Sequence, residues 1–151
     1  MSEIETINRI KSLLRQQELD KKRTQEGIAI LVLGGNFEKK YDSKTHGFHY
    51  CDQEFTKKII KDLPYLIRCE YICLKDTPDE QDYKNLILTA SKANEQKIII
   101  MGTQVALENA QTYTQKIEDK VFLFHEIETP YDLCTATDYI KFGAILRADS
   151  A

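Results

Sequence analysis

Apolar residues near the N-terminus recur at helical spacing. They follow one another at three- and four-residue intervals, at Ile4, Ile7, Ile10, Leu13 and Leu14. This period predicts an amphipathic helix from residue 2 to about residue 22. Ser2 and Glu5 have the spacing of a capping box at its start. Such a stripe has to be buried, either on its own domain or on a second subunit.

The rest of the chain alternates short apolar runs with longer segments of helical period. The runs predict strands at 28–33, 68–74, 97–101 and 120–124. The longer segments predict helices at 54–63, 82–94, 104 to about 113 and 138–147, with Thr77 or Asp79 as the cap of the second and Thr103 as the cap of the third. This alternation is typical of a three-layer α/β/α fold with a mainly parallel sheet.

Two segments are informative about the layout of this sheet. Residues 28–33 form a continuous apolar, β-branched run, which predicts a central strand covered on both faces. Residues 38–52 form a long polar stretch with turn formers at Asp42, Ser43 and Gly47, and loops of this length are often lids or binding loops. Pro64 is expected to limit the helix that precedes it.

The chain has 151 residues, of which 42% are hydrophobic and 30% are charged. These values are ordinary for one folded domain. We therefore divide the sequence into an N-terminal helix and linker at 1–26 and an α/β domain at 27–151.

Charge and hydropathy exclude two classes of partner. The net charge of −3 and a pI near 5.7 argue against a nucleic-acid binder, and we interpret Lys21-Lys22-Arg23, the only dense basic run, as a solvated helix end. No segment approaches the ~20 apolar residues that a membrane span requires, and the N-terminus is too acidic and polar for a signal peptide. We expect a cytoplasmic protein that contacts neither nucleic acid nor membrane.

The four cysteines contain no CxxC pair. Cys69 and Cys73 would lie about 13 Å apart on one strand, which is beyond disulfide reach. We interpret all four cysteines as buried free thiols.

Ligands of parallel sheets bind beyond the carboxyl ends of the strands, so the loops there are the candidate site. Glycines in such loops let backbone N–H groups approach a ligand, and a following helix N-terminus favours an anion. The four strand exits read Gly34-Gly35-Asn36, Lys75-Asp76-Thr77, Gly102-Thr103-Gln104 and His125-Glu126.

Three of these exits resemble those of the bacterial-type L-asparaginase/glutaminase family, particularly its short single-domain members. The resemblance covers about residues 28–146 and leaves the first helix as an addition. The motifs that carry it are Gly34-Gly35-Asn36-Phe37-Glu38-Lys39-Lys40-Tyr41, Lys75-Asp76-Thr77 and Met101-Gly102-Thr103-Gln104-Val105. It implies a fold like the asparaginase N-terminal domain, often with its site at a subunit interface. It also implies amide hydrolysis through an acyl-enzyme, in which a Thr after the two glycines attacks and a nearby Tyr assists.

The sequence departs from the family at the positions that carry this chemistry. Asn36 stands where the family has the attacking Thr, and a carboxamide has no hydroxyl that a base could deprotonate. Gln104 stands where the family has an Asp that binds the substrate ammonium. Met101 and Val105 replace a His and a second Thr, and Lys141, on a predicted helix face, is better explained as a solvated charge than as the family's Lys.

Our leading hypothesis is an asparaginase-like domain that has lost amidohydrolase activity. It would bind a small amino-acid-like or anionic ligand or a protein partner, without cofactor or metal. The ligand-binding candidates are Gly34, Gly35, Asn36, Tyr41, Asp76, Gly102, Thr103 and Gln104. The N-terminal helix is expected to assemble a homodimer or a hetero-complex.

Three alternatives stay open. An active amidohydrolase of altered mechanism would use Thr103 with Tyr41, or with a group of the long loop. The loop candidates, His46, His49 and Cys51, also suggest zinc, but their spacing fits no closed four-ligand pattern. A purely structural protein would assemble through the first helix and the sheet edge, with a vestigial pocket.

Overall fold

A computed structural model describes residues 2–63 and 65–148, without the side chains of residues 17–26. The helices are α1 (Glu3–Glu26), α2 (Phe55–Ile60), α3 (Glu80–Lys92), α4 (Gln104–Thr114) and α5 (Ala136–Arg147). The strands are β1 (Ile28–Val32), β2 (Lys39–Asp42), β3 (Gly47–Tyr50), β4 (Ile67–Tyr71), β5 (Lys97–Met101) and β6 (Val121–His125). Short 3-10 turns lie at Asn36–Glu38 and Tyr131–Leu133.

Four strands form one parallel sheet in the order β4-β1-β5-β6. The chain leaves β1 toward β4 on one side, crosses back to β5 on the other side of β1, and continues outward to β6. The strand order therefore reverses between β1 and β5, which is where open α/β sheets bind their ligands. The predicted α/β fold with a parallel sheet between helical layers is confirmed.

Both faces of β1 are buried, as its continuous apolar run predicts. Alternate β1 residues belong to two separate cores, because successive side chains of a strand point to opposite faces. Phe55 of α2 and Phe142 of α5 pack in one core, and Leu86 of α3 and Leu107 of α4 pack in the other. These two cores hold the helical layers against the sheet.

The stretch 38–52 differs most from its prediction. It contains the antiparallel hairpin β2–β3 instead of an irregular loop, and residue Lys39 pairs with Tyr50 at its open end. The apolar signal is weak because no residue of either hairpin strand is fully buried.

Most remaining boundaries shift by one to four residues. Helix α2 is shorter than predicted, and Pro64, to which we attributed its end, lies outside the described residues. The predicted caps Asp79 and Thr103 are both present. The side chains of Lys21-Lys22-Arg23 also lie outside the described set.

Strand β4 ends at Tyr71, so Cys73 follows the strand and the predicted placement of Cys69 and Cys73 on one strand is wrong. All four cysteines are free and partly buried. Burial raises the pKa of the Cys69 thiol to about 12, and those of Cys73 and Cys134 to about 11.

Helix α1 leaves its apolar stripe uncovered. More than half of the surface of each of the five stripe residues is exposed, and Ile4 reaches 72%. Of the two alternatives for the stripe, packing on its own domain is therefore not observed in the described chain. Among the described residues, no helix is long and apolar enough to cross a membrane.

His125, the last residue of β6, is buried beside the ring of Phe142, with centroids 5.7 Å apart. Its Nε2 atom has no hydrogen-bond partner within the described parts of the chain. Burial, followed by the charge of Lys141, lowers the pKa of His125 from 6.5 to about 4. Folding therefore keeps this imidazole neutral.

We expect acid to weaken the fold through His125. The unfolded chain binds a proton at His125 below about pH 6.5 and the folded chain only below about pH 4, so the free energy of unfolding falls as pH drops through this window. His125→Phe should remove up to about 3 kcal/mol of this decrease in the free energy of unfolding, at ~1.4 kcal/mol for each unit between the two pKa values. Urea unfolding at pH 7 and pH 4.5 measures it, with His46→Asn on the exposed hairpin turn as control. Parallel losses in wild type and His125→Phe would contradict the assignment.

Candidate functional site

The two glycines after β1 adopt backbone conformations that other residues rarely reach. Gly34 has φ 133° and Gly35 has φ 106°. A Cβ atom on Gly34 would lie 2.6 Å from the Lys75 carbonyl oxygen and 2.7 Å from the Tyr50 hydroxyl. A Cβ atom on Gly35 would lie 3.3 Å from the carbonyl carbon of Gly102. The pair thus allows the exits of β1, β4 and β5 to meet.

Tyr50, from the end of β3, occupies the centre of this meeting point. Its hydroxyl accepts a 2.7 Å hydrogen bond from the Gly35 backbone N–H and donates a 2.5 Å bond to Asp76 Oδ1. Burial, followed by the bond to Asp76, raises the pKa of Tyr50. The phenol therefore keeps its proton at neutral pH and cannot act as a base.

Asp76 receives a second contact, from the positively charged Lys39 side chain. Lys39 Nζ lies 3.0 Å from its Oδ2 atom and 5.0 Å from the ring centroid of Tyr50. Partial burial raises the pKa of the Asp76 carboxyl, but the bonds from Tyr50 and Lys39 outweigh burial and hold the pKa below its ordinary value. The carboxylate is ionised at neutral pH, and 57% of the side chain remains exposed.

Thr103 uses its hydroxyl to join two elements. The hydroxyl donates a 2.7 Å bond to the backbone carbonyl of Asp76 and accepts a 3.3 Å bond from the Ala106 N–H, which caps α4. A peptide carbonyl cannot take up the proton of an attacking hydroxyl. The contacts of Thr103 are those of a structural cap.

Glu38, which is 1% exposed, anchors the loop that carries the glycines to the rest of the domain. Its carboxylate accepts hydrogen bonds from the backbone N–H groups of Phe55 and Thr56, both 2.9 Å, and from the hydroxyls of Thr56 and Tyr71. Four donors satisfy the buried charge. They also connect the 3-10 turn to α2 and β4.

The predicted site residues separate into two groups. Gly34, Gly35, Asp76, Gly102 and Thr103 converge.

The other predicted residues lie apart from that centre. Asn36 is exposed directly after the glycines, and Gln104 bonds Glu108 along α4 at 3.4 Å. Tyr41 lies on β2, 49% exposed, with its ring edge-on to Phe48 at 5.4 Å.

Sequence reasoning missed Tyr50, Lys39 and the buried position of Glu38. The available signal was the sequence Gly47-Phe48-His49-Tyr50, whose alternation after the turn formers is that of a hairpin strand. In that hairpin Tyr50 pairs with Lys39, so both residues approach the glycines together.

No group of three or more His, Cys, Asp or Glu residues is arranged to hold a metal ion in the part of the chain that the structure describes. His49 shares a 2.7 Å hydrogen bond with the Thr45 hydroxyl on the hairpin turn. The chain matches no protein-family model and no curated protein at a significant level. Assignment of a function therefore has to come from the site itself.

Glu38→Gln should destabilise the fold by about 2–4 kcal/mol, because an amide offers one acceptor oxygen to donors that approach both carboxylate oxygens. Chemical denaturation measures the change. Glu118→Gln, at an exposed position, is the matched control and should stay within ~0.5 kcal/mol of wild type. A Glu38→Gln variant as stable as this control would show that the carboxylate is dispensable.

Gly34→Ala should cost at least ~2 kcal/mol, because it combines a strained φ with overlap against the Lys75 backbone. Gly143→Ala in α5 is the opposite case, since no atom lies within 4 Å of its added Cβ, and alanine should gain up to ~1 kcal/mol in a helix. Thermal unfolding of both variants tests the pair. Equal effects of the two substitutions would refute the role assigned to Gly34.

Proposed function

We propose that this protein is an asparaginase-like domain that binds a small amino-acid-like ligand at the exits of β1, β4 and β5 without hydrolysing it. The observation that carries the proposal is the state of the two hydroxyls at the site. Thr103 donates to a peptide carbonyl, and Tyr50 is held protonated between Gly35 and Asp76. The Thr103 hydroxyl thus donates to an oxygen that cannot take up its proton, and the Tyr50 hydroxyl keeps its proton although it donates to the Asp76 carboxylate.

The same contacts leave a carboxylate and backbone N–H groups that can bind the two charges of a zwitterionic amino acid. Asp76 is ionised and more than half exposed, so its carboxylate can accept a ligand ammonium in addition to Lys39 and Tyr50. The first turn of α4, next to Gly35, has backbone N–H groups without intrahelical acceptors, which favour a carboxylate. Asn36, exposed directly after Gly35, can donate and accept hydrogen bonds.

An active amidohydrolase that uses Thr103 and Tyr41 is less well supported. Tyr41 packs against Phe48 on the hairpin, and Thr103 caps α4. Catalytic groups that act as a unit fail together when one is lost. Asn36 at the position of the family nucleophile is therefore expected to abolish ordinary amidase turnover.

The direct test is binding and turnover measured on the same preparation. L-asparagine, L-glutamine and L-aspartate are titrated in thermal-shift and calorimetric experiments, and ammonia release is followed in parallel. A ligand at ten times its Kd stabilises by ~1.4 kcal/mol, which raises Tm by about 3–6 °C for a domain of this size. We expect such a shift for at least one probe and no ammonia above background.

Asp76→Asn should abolish the ligand-induced shift, because it removes the charge that holds the ammonium while leaving an acceptor for Tyr50. Asp52→Asn, in the exposed turn before α2, should bind like wild type. Sustained ammonia release would refute the binding-only function. No shift with any of the three amino acids would refute the ligand class.

A further inference from the structure

The exposed stripe of α1 has a length and a boundary that constrain what can cover it. It runs from Ile4 to Leu14, about 15 Å along the helix at ~1.5 Å per residue. Glu3 lies four residues before Ile7 and therefore on the same face. The stripe thus has an acidic residue at its N-terminal end.

Helix α5 has a matching apolar groove on its outer side. A cavity of about 390 Å³ is lined by Tyr139, Ile140, Gly143, Ala144 and Arg147. Ile140 is 71% exposed, and no neighbour lies within 4 Å of the position that a Gly143 side chain would take. The missing side chain of Gly143 leaves a gap in the ridge of α5, of the kind that receives a residue of a packed helix.

The groove carries a positive charge at one end. Arg147 ends α5 and has no carboxylate partner within the described residues, although it donates a 3.3 Å bond to the Tyr65 hydroxyl. An antiparallel α1 would therefore place Glu3 near Arg147.

The α1 of the same chain cannot lie along this groove with its stripe in contact. Lys97 Nζ donates to the Leu146 carbonyl at 2.6 Å, and Lys97 pairs with Ile28. The C-terminal ends of α5 and α1 therefore both lie near the N-terminal ends of β1 and β5. From Glu26 back to Leu14 is about 18 Å, and α5 is itself about 18 Å long. An α1 running along its own α5 would carry the stripe beyond the far end of the groove.

We propose that two copies of this chain form a dimer in which the α1 stripe of each copy docks, antiparallel, in the α5 groove of the other. The exchange is isologous, because each copy gives one helix and receives one, and both contacts form together. Five apolar side chains per copy leave water in this way. The dimer places Glu3 of each copy beside Arg147 of the other copy.

The test is the mass of the full chain in solution, by light scattering and sedimentation equilibrium, with circular dichroism to check folding. We expect a dimer. The double variant Ile7→Asp with Ile10→Asp should raise the dissociation constant of the dimer at least tenfold. Gly143→Gln should do the same, because its side chain fills the groove while no atom of its own chain lies within 4 Å of the added Cβ. Leu88→Asp on the exposed side of α3 is the control and should leave the dimer unchanged.

Charge reversal tests the antiparallel register. Glu3→Arg alone and Arg147→Glu alone should each weaken the dimer, and the double variant should restore it. Tyr65→Phe removes only the intramolecular bond of Arg147 and should have no effect. Failure of the double variant to recover would overturn the register.

Three results would overturn the proposal as a whole. One is a wild-type monomer in solution. Another is a wild-type monomer that binds vesicles of phosphatidylcholine and phosphatidylserine, since α1 would then be a membrane-surface helix. The third is a dimer that the stripe variants dissociate but Gly143→Gln does not, since the two stripes would then pack on each other.

Discussion

A buried carboxylate under the first glycine loop connects the parts of this molecule that the site requires. Glu38 accepts four hydrogen bonds from α2 and β4, and it directly precedes Lys39, which contacts Asp76. An unpaired charge at this depth would be costly, so the donors must be in place whenever the domain is folded. The position of the hairpin, and with it Tyr50, follows from this constraint.

The site is rigid for a reason that also limits its chemistry. Gly35, Tyr50 and Asp76 form a continuous chain of hydrogen bonds, and Thr103 attaches the Asp76 backbone to α4. Each hydroxyl that could attack a carbonyl is used to hold one strand exit against another. A scaffold of this kind favours recognition of a ligand by fixed charges and dipoles over covalent catalysis.

The fold was predictable where local pattern and burial agree, and the site only in part. The continuous apolar run of β1, the caps Asp79 and Thr103 and the meeting of the glycine-containing exits all follow from short-range rules. Tyr50 was not predicted, because the hairpin that brings it to Gly35 is a two-stranded ribbon with little apolar signal. The pattern of α1 predicted the apolar stripe but did not decide whether its own domain or a second subunit covers it.

The raised pKa values of three cysteine thiols make these residues probes of local opening. Cys69 and Cys134 lie against one core and Cys73 against the other. A reagent that attacks only thiolates will react with them slowly until the surrounding layer opens, because the reactive ionised form is suppressed in the closed state. Alkylation kinetics at the three sulfur atoms can thus report separately on the opening of the two helical layers.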